Sequence, residues 1–279
     1  MRNLDRVTAI LSLEFPSDRR VAARATAAGA ALFYGFGNLC ALAARPDQAS
    51  VLRMNRLKGR PLQQAGSVTS DPARLQLAFD WGRLPRSFEA ESLLALMTEL
   101  HALGPIGFRG PAAAGIPDHL TVMDGDRRTV QHISPGVRCR SNALVGDVLD
   151  MIGEHVLFVT SANRSSYRSQ RTEAAHCEMR EIQREFGHRR GVVLIGHEDE
   201  AANRVYYPHH LPCSTSILGF HRDVREDGRP ALLLERHGSL AADSIRQVAA
   251  RHGYGLAIAA GAHERVPVRW PGGAQPLAA

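Results

Sequence analysis

The sequence has 279 residues, of which 44% are hydrophobic, so the chain can bury a sizeable core and is neither disordered nor fibrous. Its 34 Lys and Arg residues exceed its 28 Asp and Glu residues, which gives a formal net charge of +6. This modest excess suits phosphate-rich partners but also occurs in many other proteins, so charge alone assigns no function.

The sequence shows no pattern typical of export, membrane insertion or a structural metal site. No N-terminal stretch resembles a secretion signal, and the longest apolar runs are too short to span a bilayer. The four cysteines, at positions 40, 139, 177 and 213, share no short spacing, and the 13 histidines are scattered. We therefore predict a reduced, cytoplasmic protein with no membrane contact and no bound structural metal.

The first part of the chain predicts a helix, a strand and a second helix. Residues 1–28 have the composition of a helical lead-in, and "ALFYGFG" predicts a strand that ends in a tight turn, without the third glycine of a dinucleotide-binding motif. In "PDQASVLRMNRLKGRP", apolar residues at helical spacing predict a helix that ends at Gly59. If the chain leaves this helix extended, Lys58 and Arg60 point to the same side as a pair of cations. The alternative is two solvated charges at a helix end.

The middle of the chain predicts a strand that ends in a polar loop. "SFEAESLLALMTELHALGP" and "NALVGDVLDMIGEH" have the pattern of helices, and the alternation of Arg138 and Arg140 in "PGVRCRS" is typical of a strand. The apolar run "VLFV" predicts an interior strand, which leads into the hydroxyl and amide groups of Thr160, Ser161 and Asn163. Sites in α/β proteins often lie at such strand tips, although Ser and Asn also satisfy backbone groups in ordinary turns.

The last part of the chain continues the alternation of strands and helices. "GVVLIGHED" and "RPALLLER" predict strands, and "TEAAHCEMREIQREF" and "AADSIRQVAARHG" predict helices. "CSTSILGF" predicts a strand with Ser214 and Thr215 at its start, and Arg236 begins the turn after the last strand. From Tyr254 onward we expect a loosely held tail.

An ordered set of these motifs resembles one protein family. "YGFG", "MNRLKGRP", "GPIG", "GVRCR", "FVTSANRSS", "CSTSILGF" and "LLLERHGSL" follow the order and approximate spacing of the YrdC-like proteins, whose best-known members are threonylcarbamoyl-AMP synthases. The resemblance covers residues 31–245. It implies an α/β fold in which a twisted mixed sheet, flanked by helices, forms a large open concave cavity. We expect the lead-in at 1–28, a YrdC-like nucleotide-binding domain at 29–245 and a C-terminal appendage at 246–279.

The resemblance also implies a site and its chemistry. By motif match the expected catalytic residues are Lys58, Arg60, Ser161 and Asn163, the nucleotide contacts add Arg138, Thr160, Ser214, Thr215 and Arg236, and the substrate contact is Tyr34. In such enzymes the carbamate formed from threonine and bicarbonate attacks the α-phosphate of ATP and expels pyrophosphate, while Mg²⁺ and cationic side chains stabilise the charge. The product serves the N6-threonylcarbamoyladenosine modification of tRNA.

Departures from the family pattern lie on the amino-acid side of the expected site. Gly29, Ala30, Ala31 and Leu32 occupy the segment where the family carries hydroxyl residues, and Gly107 stands where a threonine is expected. Three interpretations remain open: a threonylcarbamoyl-AMP synthase, a divergent enzyme that adenylates another carbamate or acyl group, and a non-catalytic module that binds nucleotide or RNA. The missing hydroxyls favour the second or third interpretation, and the preserved Lys, Arg, Ser and Asn residues argue against the third.

Overall fold

One mixed sheet organises the chain. The computed structural model, which describes residues 8–164 and 174–269, contains twelve strands in a single sheet. In chain order they are β1 (Ile10–Ser12), β2 (Ala31–Gly35), β3 (Cys40–Ala44), β4 (Ser67–Thr69), β5 (Ile106–Pro111), β6 (Val122–Asp124), β7 (Arg127–Ser134), β8 (Leu157–Ser161), β9 (Val192–Gly196), β10 (Ile217–Glu226), β11 (Arg229–Arg236) and β12 (Gly255–Ile258). Their order across the sheet is β1-β9-β2-β3-β8-β4-β7-β5-β10-β11-β12, with β6 paired to β7. Strand β2 pairs in parallel with β9 and antiparallel with β3, so both pairing directions occur.

Helices pack against both faces of this sheet. In the described ranges they are α1 (Pro16–Ala27), α2 (Gln48–Lys58), α3 (Ala90–Leu103), α4 (Ser141–Ile152), α5 (Met179–Phe186), α6 (Glu200–Val205) and α7 (Ala242–Arg251). Buried side chains of α2, α3, α5 and α7 belong to one apolar cluster, and those of α1 and α4 belong to another. Phe33 joins the first cluster and its neighbours Leu32 and Tyr34 join the second, because successive strand residues point to opposite faces. None of these described helices is long and apolar enough to cross a membrane.

The structure confirms most of the predicted elements and corrects two. Strand β7 ends at Ser134, and the turn through Gly136, whose φ is +90°, leads directly into α4. Arg138 and Arg140 therefore lie in this turn, and the prediction that they alternate along a strand is wrong. The prediction of a loose tail from Tyr254 is wrong for residues 255–258, because they form β12, which pairs in parallel with β11, and residues 270–279 lie outside the described ranges. At the other end of the chain, the lead-in contributes β1 beside β9 as well as α1.

The end of helix α2 positions two of the predicted site residues. Gly59 has a φ of +68°, in the left-handed region that glycine enters without a Cβ clash. The backbone N–H of Arg60 donates to the carbonyl oxygen of Asn55 at 3.0 Å, which completes a helix cap of the kind glycine favours. This cap turns the chain sharply after Lys58, so Lys58 and Arg60 both reach the tip of β8.

Candidate active site

Two adjoining cavities open at the tip of β8. The larger has a volume of about 350 Å³, and we call it the cationic cavity because five cations among the described residues line it, namely Lys58, Arg60, Arg109, Arg164 and Arg236. The smaller has a volume of about 90 Å³, and we call it the apolar cavity because Phe36, Leu39, Ala41, Ile133 and Val159 line it. Four residues border both cavities: Ser67, Thr160, Ser161 and Arg236. The two cavities are therefore neighbours that share one border.

The amino group of Lys58 is almost completely buried, with 4% of the residue exposed. Its Nζ donates to Thr160 Oγ1 at 3.1 Å and to the carbonyl oxygen of Ser161 at 2.5 Å. Burial and then the nearby charge of Arg60 lower the pKa of Lys58 to about 7, against an opposing effect of Glu185. Lys58 is also the only lysine in the sequence. An anion bound in the cavity would stabilise the charged form of Lys58, which burial and Arg60 disfavour.

Arg60 is held in place but is left with an unused donor. Its Nε donates to Asn55 Oδ1 at 2.5 Å and its Nη1 to Thr160 Oγ1 at 3.3 Å, while its Cζ lies 5.4 Å from the centroid of the Phe158 ring. Burial lowers the pKa of Arg60 to about 10. The buried Nη2 has no hydrogen-bond partner among the described residues. A buried guanidinium N–H without a partner is costly, and a phosphate oxygen in the cavity would satisfy it.

Two further arginines reach the cationic cavity from the strands on its other side. Arg236 donates from Nε to the carbonyl oxygen of Thr215 at 2.7 Å and from Nη2 to Thr215 Oγ1 at 3.0 Å, and burial lowers its pKa to about 10. Arg109 donates from Nη2 to Gln131 Oε1 at 3.2 Å, and its Nε lies 3.3 Å from Glu235 Oε2. The sequence analysis did not identify Arg109 or Gln131. A charged residue inside the otherwise apolar strand "IGFRGP" is the signal that could have found Arg109.

Asn163 lies in the loop that follows β8. The residue is buried, its Nδ2 donates to the carbonyl oxygen of Arg164 at 2.9 Å, and its Oδ1 has no partner among the described residues. Arg164 forms an ion pair with Glu185 in which Nε lies 2.9 Å from Oε1. The last two residues of the motif "FVTSANRSS", Ser165 and Ser166, lie outside the described ranges.

The described residues that line the cationic cavity do not have the donor groups of a resident magnesium site. Mg²⁺ binds mainly carboxylate, phosphate and water oxygens. None of the described residues that line the cavity is Asp or Glu, and the described residues contain no group of three or more His, Cys, Asp or Glu that could hold a metal. The lining cations and hydroxyls instead match the oxygens of a phosphate chain.

Comparisons with known proteins agree with this architecture. No protein-family profile matches the sequence, and no curated protein matches it. Among solved structures, a double variant of P. abyssi Sua5 aligns with a TM-score of 0.63 and 16% identity over 90% of this chain and 65% of its own. P. abyssi Sua5 complexed with L-threonine aligns with a TM-score of 0.58 and 16% identity over 86% of this chain and 59% of its own. E. coli YciO aligns with a TM-score of 0.50 and 18% identity over 76% of this chain and 89% of its own. The fold is that of the YrdC/Sua5 family.

This chain spans less than two thirds of the length of the two Sua5 chains, at 65% and 59%.

Within its YrdC-like fold, most residues expected from the motifs come together. Lys58, Arg60, Thr160, Ser161, Asn163 and Arg236 line the cationic cavity, and Ser214 and Thr215 line the apolar cavity.

Two expected residues line neither cavity. Tyr34 is completely buried in β2, and its hydroxyl has no hydrogen-bond partner among the described residues. Arg138 is exposed in the turn before α4. The substrate contact of Tyr34 and the nucleotide contact of Arg138 therefore stay predictions.

Proposed function

We propose that this chain is a nucleotidyltransferase that forms a carbamoyl adenylate from ATP, bicarbonate and an amino acid and releases pyrophosphate. The observation that supports it best is the convergence of Lys58, Arg60 and Arg236, three desolvated cations, around the hydroxyls of Thr160 and Ser161. Buried cations of one sign are unfavourable unless a polyanion binds among them. A nucleoside triphosphate has the charge and length to contact all three.

The reaction needs no side-chain nucleophile. An amine and bicarbonate combine to a carbamate and water, and a carbamate oxygen then attacks the α-phosphorus of ATP. The new O–P bond replaces the bond to pyrophosphate, which leaves with its electron pair. Negative charge develops on the phosphate oxygens in this step, where Lys58, Arg60 and Arg236 would stabilise it. Mg²⁺ would enter bound to ATP, as part of the substrate.

Threonine is the reference acceptor for this proposal. Sua5, which has the same fold, has been solved in complex with L-threonine. The motif resemblance points the same way, to threonylcarbamoyl-AMP for tRNA modification. RNA that binds this chain would contact the cations of the cationic cavity through its phosphates. Such binding should weaken steeply with added salt.

Pyrophosphate release tests the proposal. The assay contains ATP, Mg²⁺, bicarbonate and one amino acid at a time, with wild type, Lys58→Met, Arg60→Met and the control Arg83→Met. The Arg83 side chain is 75% exposed and lines neither cavity. We expect amino-acid-dependent release that falls about 100-fold in both cavity variants, the size of effect seen when one preorganised donor is removed, and that the control retains.

Two other results would contradict the proposed enzyme. Tight ATP binding without release under any condition would favour a non-catalytic nucleotide-binding module. Absence of measurable ATP binding by isothermal titration calorimetry would contradict both the enzyme and the module.

A further inference from the structure

We propose that Asn55 is a positioning residue of the cationic cavity, whose side-chain amide holds the guanidinium of Arg60 toward the ligand and ties down the adjoining loop. We call residues 61–66 the wall loop, because Gln64, Ala65 and Gly66 line the cationic cavity. The inference rests on the proposed function, since Arg60 is one of the cations that would bind the triphosphate. Asn55 itself lines neither cavity, so it would act through the groups that it holds.

Asn55 is a completely buried polar residue in the last turn of α2. Its Oδ1 accepts from Arg60 Nε at 2.5 Å. Its Nδ2 donates to the carbonyl oxygens of Leu62 at 2.6 Å and Gln64 at 3.1 Å. One acceptor contact and two donor contacts match the oxygen and the two N–H groups of the amide. The opposite orientation would place N–H groups against the guanidinium and an oxygen against two carbonyl oxygens, so these contacts define a single orientation.

The wall loop contains neither helix nor strand. Among the described residues, the one hydrogen bond within the loop joins the N–H of Gln64 to the carbonyl oxygen of Pro61 at 3.1 Å. The two hydrogen bonds from Asn55 connect the loop to α2. The position of this wall of the cavity therefore depends on one buried amide.

The ring of Phe158 lies against both groups that Asn55 holds. Arg60 Cζ is 5.4 Å from the centroid of this ring. A Cβ on Gly66 would lie 2.1 Å from Phe158 Cε2, so the wall loop passes directly over the ring edge. Asn55 on one side and Phe158 on the other thus fix Arg60 and the wall loop relative to β8.

The contact with Asn55 leaves Arg60 oriented for an anion. With Nε on Asn55 and Nη1 on Thr160, the remaining Nη2 is the nitrogen without a partner among the described residues. Arg60 is partly exposed, so without Asn55 it would be held by the 3.3 Å contact to Thr160 and could turn toward water. A donor that is already oriented loses less freedom when a ligand binds.

A double-mutant cycle tests whether Asn55 acts through Arg60. Asn55→Leu removes all three hydrogen bonds and keeps a branched side chain of similar size. In calorimetry with ATP and Mg²⁺, we expect its affinity to fall about tenfold, the effect of disturbing one hydrogen bond to a charged group. In the Arg60→Met background the same change should cost no more than about twofold. An equal loss in both backgrounds, or no loss from Asn55→Leu alone, overturns the inference.

The pKa of Lys58 gives a second measurement that needs no ligand. Burial and then the nearby charge of Arg60 lower this pKa. Release of Arg60 in Asn55→Leu should therefore raise the pKa of Lys58, which NMR of ¹⁵N-lysine-labelled protein measures. Arg60→Met should raise it as well, and Asn55→Leu should add nothing in that background. A pKa that is the same in wild type and Asn55→Leu would contradict the placement of Arg60 by Asn55.

Met54→Ala is the matched control. Met54 is the preceding residue of α2, is equally buried in an apolar cluster and lines neither cavity. This variant should lower the thermal midpoint without changing the ATP affinity or the pKa of Lys58, and equal changes in Met54→Ala and Asn55→Leu would reduce Asn55 to a structural role. Asn55→Ser, which leaves room for water, replaces Asn55→Leu if the latter does not fold.

Hydrogen exchange tests the tie to the wall loop separately. The backbone amides of residues 61–66 should exchange faster in Asn55→Leu and at the wild-type rate in Met54→Ala, because only the first change removes contacts of the loop. Equal rates in the two variants would contradict the role of Asn55 in holding this wall.

These measurements separate the inference from the proposed function. If the wild type does not bind ATP, the proposed function fails, and the pKa of Lys58 still decides the role of Asn55. If ATP binds and neither its affinity nor the pKa of Lys58 responds to Asn55→Leu, the inference fails and the proposed function stands.

Discussion

Lys58 should be largely neutral in the free protein above pH 7 and should take up a proton when ATP binds. Burial and the charge of Arg60 lower its pKa to about 7. Triphosphate oxygens next to Nζ would restore the pKa toward the ordinary lysine value of about 10.4. At pH 8 about nine tenths of the free molecules would then carry neutral Lys58, so binding would consume about 0.9 proton.

This proton uptake has a calculable effect on affinity. With a pKa of about 7, the apparent affinity for ATP should fall about fivefold between pH 7 and pH 8 and about ninefold between pH 8 and pH 9, approaching the limit of about 1.4 kcal/mol per pH unit. The phosphate groups of ATP do not account for such a trend, because the second ionisation of a phosphate monoester has a pKa of about 6 and is complete at these pH values. Below pH 6 Lys58 is already protonated in the free protein, so the dependence of ATP affinity on pH that it causes should disappear.

The composition of the chain makes the measurement direct. Because Lys58 is the only lysine, protein labelled with ¹⁵N-lysine gives a single side-chain signal in NMR, and its titration reports one group. Arg83→Lys adds an exposed reference lysine, which should titrate near 10.4 in the same sample. Calorimetry in buffers of different ionisation enthalpy counts the protons taken up with ATP. A free-state pKa above about 9.5, or ATP affinity that is constant from pH 7 to pH 9, would refute the reasoning.

Three other changes test the site and the core. Arg109→Met should weaken ATP binding about tenfold in calorimetry, because a hydrogen bond to a charged group contributes about 1.5–3 kcal/mol; unchanged affinity would mean that Arg109 does not contact the nucleotide. The free energy of unfolding should fall as the pH drops from 6.5 to 4. Burial lowers the pKa of His101 to about 4 and of His132 to about 3, so the unfolded chain protonates first. Each histidine contributes about 1.4 kcal/mol per pH unit in that window, and a urea midpoint that is the same at pH 5 and pH 7 would contradict this. Gly238→Ala should destabilise the fold by about 1–3 kcal/mol, because the new Cβ would lie 2.1 Å from the carbonyl oxygen of Ser214. An unchanged thermal midpoint would count against that close contact.

Patterns among residues close in the sequence were enough to predict α2, whose end carries Lys58, and the tip of β8 beside it. The helical spacing before Gly59 and the apolar run before Thr160 depend on interactions between residues close in the chain. They predicted the end of α2 and the tip of β8, and the structure brings these together through contacts between Lys58 and Thr160. The same kind of pattern failed at Arg138, because the strand ends at Ser134, four residues before Arg138, and the turn through Gly136 follows.

The sequence by itself determined the types and approximate bounds of most elements. Its resemblance to a known family indicated the motif residues of the cationic cavity and the absence of expected hydroxyls at Leu32 and Gly107. Only the tertiary structure decided that Arg109 joins the cations and that Ile133 fills the space beside Gly107. The physical reason is that helix and strand periodicity arises from neighbours along the chain, whereas strand order and register depend on pairing between distant segments. The pairing of β5 with β7 and β10 places those side chains in the cavities, and no pattern within a single strand encodes it.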